Sequence, residues 1–134
     1  MKIAVIGTNG MLSVALTKYF YGQAGISVET FGLDEPNGYG CNCFHKTNLL
    51  KDQIDYSYLI TFDVIIYASG AGVQAALKTD SSLMSALNVN APIEITLQLK
   101  KRGYKGVYIS FGSYMEIGIN DEEGKEFSEN DVVC

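Results

Sequence analysis

The 134-residue sequence predicts an α/β fold, a doubly wound parallel sheet, on three observations. Short apolar runs alternate along the chain with longer stretches of helical periodicity. The first of these runs, residues 2–6 (KIAVI), is continuously apolar rather than alternating, as expected of a central strand covered on both faces. A glycine-rich turn then separates that run from an amphipathic helical pattern.

The elements follow in order. Residues 11–21 (MLSVALTKYFY) place Leu12, Ala15, Leu16, Tyr19 and Phe20 on one helical face, the face predicted to meet the sheet. Ile26 to Phe31 reads as a second strand, and Asp34-Glu35-Pro36-Asn37-Gly38 marks a turn. A short third strand is expected at about 41–45 and a modest helix over 49–60. Residues 63–67 (DVIIY) form the fourth strand. A long helix is predicted from Ser81 to Arg102, closed by Gly103, and residues 106–111 (GVYISF) form the fifth strand. Beyond Gly118 the chain turns polar and acidic.

The length suits a single domain, 1–134, with one core. A net charge of −5 argues against a nucleic-acid partner, whose phosphates demand basic surface. No run reaches the roughly 18 apolar residues of a membrane helix, and the N-terminus does not read as a secretory signal. A cytoplasmic protein with no membrane partner is therefore expected. Cys41, Cys43 and Cys134 are too few and too scattered for a disulfide framework. Cys41-x-Cys43-x-His45 has the look of half a metal site, but a structural zinc needs four ligands and only distant Cys134 offers a fourth. The expectation is reduced thiols along a short strand, and no metal.

Right-handed crossovers make 3-2-1-4-5 the most economical strand order, with the chain reversing direction across the sheet between strands 1 and 4. Ligands of such sheets bind at the strands' carboxyl ends at that reversal. There the sequence reads Gly7-Thr8-Asn9-Gly10-Met11-Leu12-Ser13. Gly7 permits the tight turn, Gly10 lets backbone approach a phosphate, and the following helix aims its free N–H groups and positive end at it. This is the pyrophosphate seat of a Rossmann-type fold. Ser13 stands where a third glycine is usual; it should move the helix slightly outward without closing the site. Pro92 carries a second expectation. In a helix it cannot donate to the carbonyl of Asn88, so the helix should kink there.

Gly7-x-x-Gly10, Asp63-Val-Ile-Ile-Tyr-Ala68-Ser69-Gly70, Asn88-Val-Asn90 and Ser110-Phe-Gly112-Ser113-Tyr-Met-Glu116-Ile-Gly118 form an ordered set. It resembles the extended short-chain dehydrogenase/reductase family, in particular its NAD-dependent nucleotide-sugar epimerases and dehydratases. The resemblance runs from Lys2 to about Val132. It implies that Gly7, Asn9, Gly10, Met11 and Leu12 line the pyrophosphate and that Asp34 takes the adenosine ribose hydroxyls, favouring NAD over NADP. Asn48-Leu49 would lie beside the adenine, with asparagine in place of the family's acid. Ala68, Ser69 and Gly70 would approach the cofactor's ribose and phosphate, and Asn88 the nicotinamide end. Ser113 matches the catalytic serine or threonine that hydrogen-bonds the reacting sugar oxygen; anchoring on strand 5 instead points to Ser110 or Gly112. The implied substrate partner is a nucleotide sugar, and a homodimer is compatible with it.

The family's general acid/base pair, Tyr-x-x-x-Lys, is missing: none of the nine tyrosines has lysine four residues later. In the family that pair falls past the position of Cys134. The sheet also stops at strand 5, an open edge that a complete protein would have to protect. The expectation is the N-terminal NAD(P)-binding portion of a longer enzyme that works by transient hydride transfer, inactive by itself. The other class of reading is a non-catalytic dinucleotide-binding regulatory or assembly module.

Overall fold

Five parallel strands form one sheet in the order β3-β2-β1-β4-β5, as the crossover argument predicts. The structure, a computed structural model, describes residues 1–51, 54–71 and 80–111. Its elements are β1 (Lys2–Ile6), α1 (Met11–Phe20), β2 (Ser27–Gly32), β3 (Cys43–Lys46), α2 (Tyr56–Leu59), β4 (Val64–Tyr67), α3 (Ser81–Ser85), a π-helical turn (Ala86–Asn90), α4 (Ala91–Lys101) and β5 (Val107–Ser110). None of the described helices is long and apolar enough to cross a membrane.

Alternation along β1 splits the core between the two faces of the sheet. Ile3 and Val5 join Val28 and Ile66 on the first face, against Leu16 and Phe20 of α1. Ala4 and Ile6 join Phe31, Ile65 and Tyr67 on the second, against Leu59, Phe62, Ile95 and Leu99. Each such side chain, when fully buried, contributes about 1.5–3 kcal/mol. β1, β2 and β4 are therefore held on both faces, and their carboxyl ends form a rigid rim.

Three helical expectations are corrected. The face that α1 buries is Ser13 and Thr17, flanked by half-buried Leu16 and Phe20, whereas Leu12, Ala15 and Tyr19 are exposed. Small residues let the helix axis lie close to the sheet, and apolar periodicity cannot report a polar contact line. The helix expected over 49–60 is only Tyr56–Leu59 in the described residues. Asn48 Oδ1 accepts the amide of Leu50 at 3.0 Å, a local bond that competes with helix. Asp55 then caps the late start through Ser57 N and Tyr58 N, at 3.0 and 3.1 Å.

The long helix from Ser81 is interrupted rather than continuous. The π-helical turn lies just before Pro92, with Ala91 N donating to Ala86 O, so the disturbance expected from the proline takes this form. Gly103, at φ +68°, follows the end of α4 as a left-handed terminator. On β5, Val107 and Ile109 are exposed on the face that α1 covers further in.

Candidate functional site

The turn from β1 into α1 is set by steric need. Gly7 adopts φ +121°, and a Cβ there would lie 2.9 Å from the carbonyl oxygen of Ala68. Only glycine lets the ends of β1 and β4 close to this distance. The Gly7 amide donates to Phe31 O at 2.7 Å, tying the turn to β2 as well. Gly10 is the N-cap of α1, with φ −72° and ψ 154° and no side-chain cap; no acidic residue occupies the first helical turn. The N-terminus of α1 thus presents uncapped N–H groups and the positive end of its dipole, a seat for an anion.

Ser13 is fully buried, and its hydroxyl donates to Thr8 O at 2.8 Å and Gly10 O at 2.9 Å. The serine therefore stitches the turn to the helix rather than merely filling a glycine's place. Tyr39 donates to the same Thr8 carbonyl at 2.6 Å. Burial and then the neighbouring Cys41 push its phenol up, which keeps it protonated and donating. The Asn9 side chain bridges to the next loop, donating to Glu35 O and accepting from Asn37 N, both at 2.9 Å. Its carboxamide is thus spent on holding loop to loop, and only the remainder of the residue faces the cleft.

Two clefts meet on Ala68, Ser69 and Gly70 at the end of β4. The first, about 410 Å³, lies over the ends of β1 and β2 and is walled by Gly7, Asn9, Gly10, Asp34, Asn48 and Leu49. The second, about 480 Å³, lies on the β5 side and is walled by Met11, Leu12, Asn88, Ser110 and Phe111. The structure thus gathers every expected cofactor residue on one rim and divides them between two halves. Ser113 and Gly112 lie outside the described residues; Ser110, the alternative on strand 5, opens onto the second cleft. A third cavity, about 500 Å³ between α2 and α4, touches the first at Leu49 and Leu50 but lies away from the strand ends.

Asn88 clamps the backbone beyond Gly70: it accepts from Ala71 N and donates to Ala71 O, both at 3.0 Å. A Cβ on Gly70 would stand 2.9 Å from Asn88 Oδ1, so the glycine is what admits the clamp. Tyr67 fixes the same helix by donating to Leu87 O at 2.5 Å. Burial is the main reason its phenol is pushed up to about 12.

Sequence reasoning missed Thr8, Gly32 and Thr47, which also wall the first cleft. Gly32 had a signal, a glycine closing strand 2. A Cβ there would fall 2.6 Å from Thr8 Oγ1, so it is needed for the turn to nest against β2. Thr8 acts through its carbonyl and packing, and Thr47 through its amide and a hydroxyl donated to His45 O at 3.2 Å; neither carries such a mark.

Neither a family model nor a curated protein sequence matches this chain. Solved structures do. A Bacillus halodurans protein described as an NAD-dependent epimerase/dehydratase matches at TM-score 0.70 and 21% identity, over 88% of this chain and 54% of that one. UDP-glucuronic acid 4-epimerase from Bacillus cereus, in complex with UDP-glucuronic acid and NAD, matches at TM-score 0.73 and 17% identity, over 100% of this chain and 46% of that one. Uronate dehydrogenase from Agrobacterium tumefaciens matches at TM-score 0.64 and 15% identity, over 89% and 43%. The chain spans about half the length of these proteins. The likeness establishes the fold: a Rossmann-type parallel sheet of the kind found in NAD-dependent epimerases and dehydratases.

Proposed function

We propose that this chain binds NAD and is the cofactor-binding portion of a nucleotide-sugar epimerase, dehydratase or reductase. The observation that carries the reading is the pair of clefts joined at Ala68–Gly70 beneath the N-terminus of α1, with Asp34 at one end and Asn88 and Ser110 at the other. The glycine cradle fits a pyrophosphate. Gly10 has no side chain in the way, and its nearest would-be Cβ contacts are Ser13 Oγ at 3.3 Å and Ala68 O at 3.7 Å. The similarity to NAD-bound sugar-nucleotide enzymes supports the choice of cofactor and substrate class.

Bound NAD would supply a hydride acceptor and donor at its nicotinamide ring. The chain's own residues do the rest. Backbone N–H groups at the start of α1 receive the pyrophosphate, and the Asp34 carboxylate accepts from the adenosine ribose hydroxyls and repels a 2′-phosphate. Asn48 and Leu49 would flank the adenine, and the Ala68-Ser69-Gly70 backbone would hold the ribose and phosphate. Asn88 holds the strand end in place on the nicotinamide side. Ser113, in the role that the family resemblance gives it, orients the reacting sugar oxygen. No tyrosine of this chain has the lysine partner that would make it the general acid/base. The 134 residues therefore bind the cofactor without turning substrate over.

Calorimetry with NAD and NADP tests the reading. NAD should bind more tightly, and Asp34→Ala should narrow the difference. Absence of dinucleotide binding at millimolar ligand, or a preference for NADP, overturns it. Turnover of UDP- or dTDP-sugars by a longer protein containing this chain tests the substrate class.

A further inference from the structure

Away from the strand-end clefts, on the second face of the sheet, the register of β2 and β3 assembles a donor set that sequence spacing does not show. Cys43 and His45 stand two residues apart on β3, and so on one face of it. Cys43 pairs directly with Glu29 of β2. The Glu29 carboxylate, the Cys43 thiol and a His45 ring nitrogen all lie within 4.8 Å of one another. We propose that Glu29, Cys43 and His45 form a zinc site that ties β3, one of the two edge strands of the described sheet, to β2.

The chemistry of the donors selects the ion. A thiolate, an imidazole and a carboxylate together suit Zn²⁺, whereas calcium and magnesium take oxygen ligands. Zinc bond lengths of about 2.0–2.3 Å put tetrahedral ligand atoms about 3.3–3.6 Å apart. His45 Nε2 now lies 2.7 Å from Glu29 Oε2, so this pair must open by about half an ångström to admit the ion. Cys43 Sγ, within 4.8 Å of both, must close by at most about 1.5 Å, and its exposed side chain gives up only a weak contact with Phe44 O at 3.9 Å. Coordination requires a bare Nε2, so its proton passes to Nδ1 of the neutral ring, or to solvent from a charged one, and the thiol proton is released to solvent. Water completes the fourth position on the open side.

The surroundings are those of a supported ligand set. Tyr58 donates to Glu29 Oε2 at 2.9 Å and leaves that carboxylate able to coordinate. Phe31 stacks on the His45 ring at 4.4 Å with an interplanar angle of 13°, fixing its plane. Glu29 is buried, so its charge needs a partner. Lys2, 3.8 Å away and half-exposed, supplies one without the ion, its ammonium lying over the Tyr58 and Phe62 rings. The sequence groups Cys43 and His45 with Cys41 and distant Cys134; the sheet sets Glu29 beside them instead.

The test uses the full chain, reduced and stripped with chelator, titrated with Zn²⁺ by calorimetry and with Co²⁺ by absorption. One ion per chain should bind with a dissociation constant of about 1 μM or tighter. Co²⁺ should show a thiolate charge-transfer band. Zinc at about 100 times its dissociation constant should raise the Tm by about 5–10 °C. Cys43→Ser, at an exposed position that leaves folding intact, should abolish the band, and both it and His45→Asn should weaken zinc at least about 30-fold. Cys41→Ser and Cys134→Ser should leave both unchanged. Zinc binding only at millimolar concentration, a band that survives Cys43→Ser, or one lost with Cys41→Ser or Cys134→Ser overturns the proposal.

Discussion

Substitution of Gly10 by valine separates the proposed cofactor seat from the fold. At φ −72° and ψ 154° the backbone of residue 10 is open to any L-amino acid. A Cβ there meets only Ser13 Oγ at 3.3 Å and Ala68 O at 3.7 Å, contacts that small shifts relieve. Loss of a favourable N-cap costs up to about 1 kcal/mol, and the reduced freedom of the unfolded chain offsets about 0.4–1 kcal/mol of it. The net stability change should stay within about 1 kcal/mol. Binding is another matter, because the isopropyl group occupies the space through which a pyrophosphate reaches the first N–H groups of α1. Loss of one or two charge-assisted hydrogen bonds amounts to about 2–4 kcal/mol, or about 30- to 1,000-fold in NAD affinity. Gly7→Ala should behave in the opposite way. Its φ of +121° and a Cβ 2.9 Å from Ala68 O demand at least about 2 kcal/mol of strain and displacement, paid in stability. Urea melts and NAD calorimetry on both variants read the two effects separately. A folded Gly10→Val protein that binds NAD within about twofold of the parent would refute the placement of the pyrophosphate. A Gly7→Ala protein as stable as the parent would refute the steric account of the turn.

Three further outcomes are expected. The Thr17 hydroxyl is fully buried on α1 and has no hydrogen-bond partner among the described residues, so the isosteric Thr17→Val should raise stability by about 0.5–1.5 kcal/mol in urea melts. Ser13→Ala removes the hydroxyl that Thr8 O and Gly10 O share and should cost about 1–2 kcal/mol, read in the same way. The Tyr67 phenol, pushed up to about 12, ionises near 10 once the chain unfolds, so its stabilisation is complete below about pH 10 and is lost as pH rises through about 12. Tyr67→Phe should lose about 1 kcal/mol at neutral pH with the bond to Leu87 O, and stability should then fall less steeply between pH 10 and 12 in a series of urea melts.

The sheet was legible because its signals are local. β1 and β4 carry short apolar runs and β2 a β-rich stretch before a turn, and the strand order follows from chain handedness once five strands and their intervening helices are placed. The first cleft was legible for the same reason: Gly7, Gly10, Asp34, Asn48 and Ala68–Gly70 all fall within a few residues of a strand's carboxyl end, and a parallel sheet brings those ends together. The misread elements are those in which side-chain hydrogen bonds outweigh periodicity. Ser13 turns α1 onto a polar contact line, and Asn48 and Asp55 shorten the helix before β4.

The donors on β3 show a different limit. Cys43 and His45 announce a shared face by their spacing, but what faces them depends on the register of β2 against β3. A slip of one residue would bring Thr30 opposite Cys43 in place of Glu29 and send Glu29's neighbours to the other face. Nothing in either strand's own sequence states that register. It follows from the hydrophobic faces: Phe31 must reach the second core alongside Ala4 and Ile6, and with Phe31 inward Glu29 is carried inward too. A carboxylate placed on the core side of a strand by its neighbours' burial cannot find water there. It must instead find Lys2, Tyr58 and His45, and those partners, together with Cys43, are what make the site able to hold an ion. Register, set by apolar packing, is thus the step that turns an unremarkable Glu-x-Phe and a distant Cys-x-His into one ligand set.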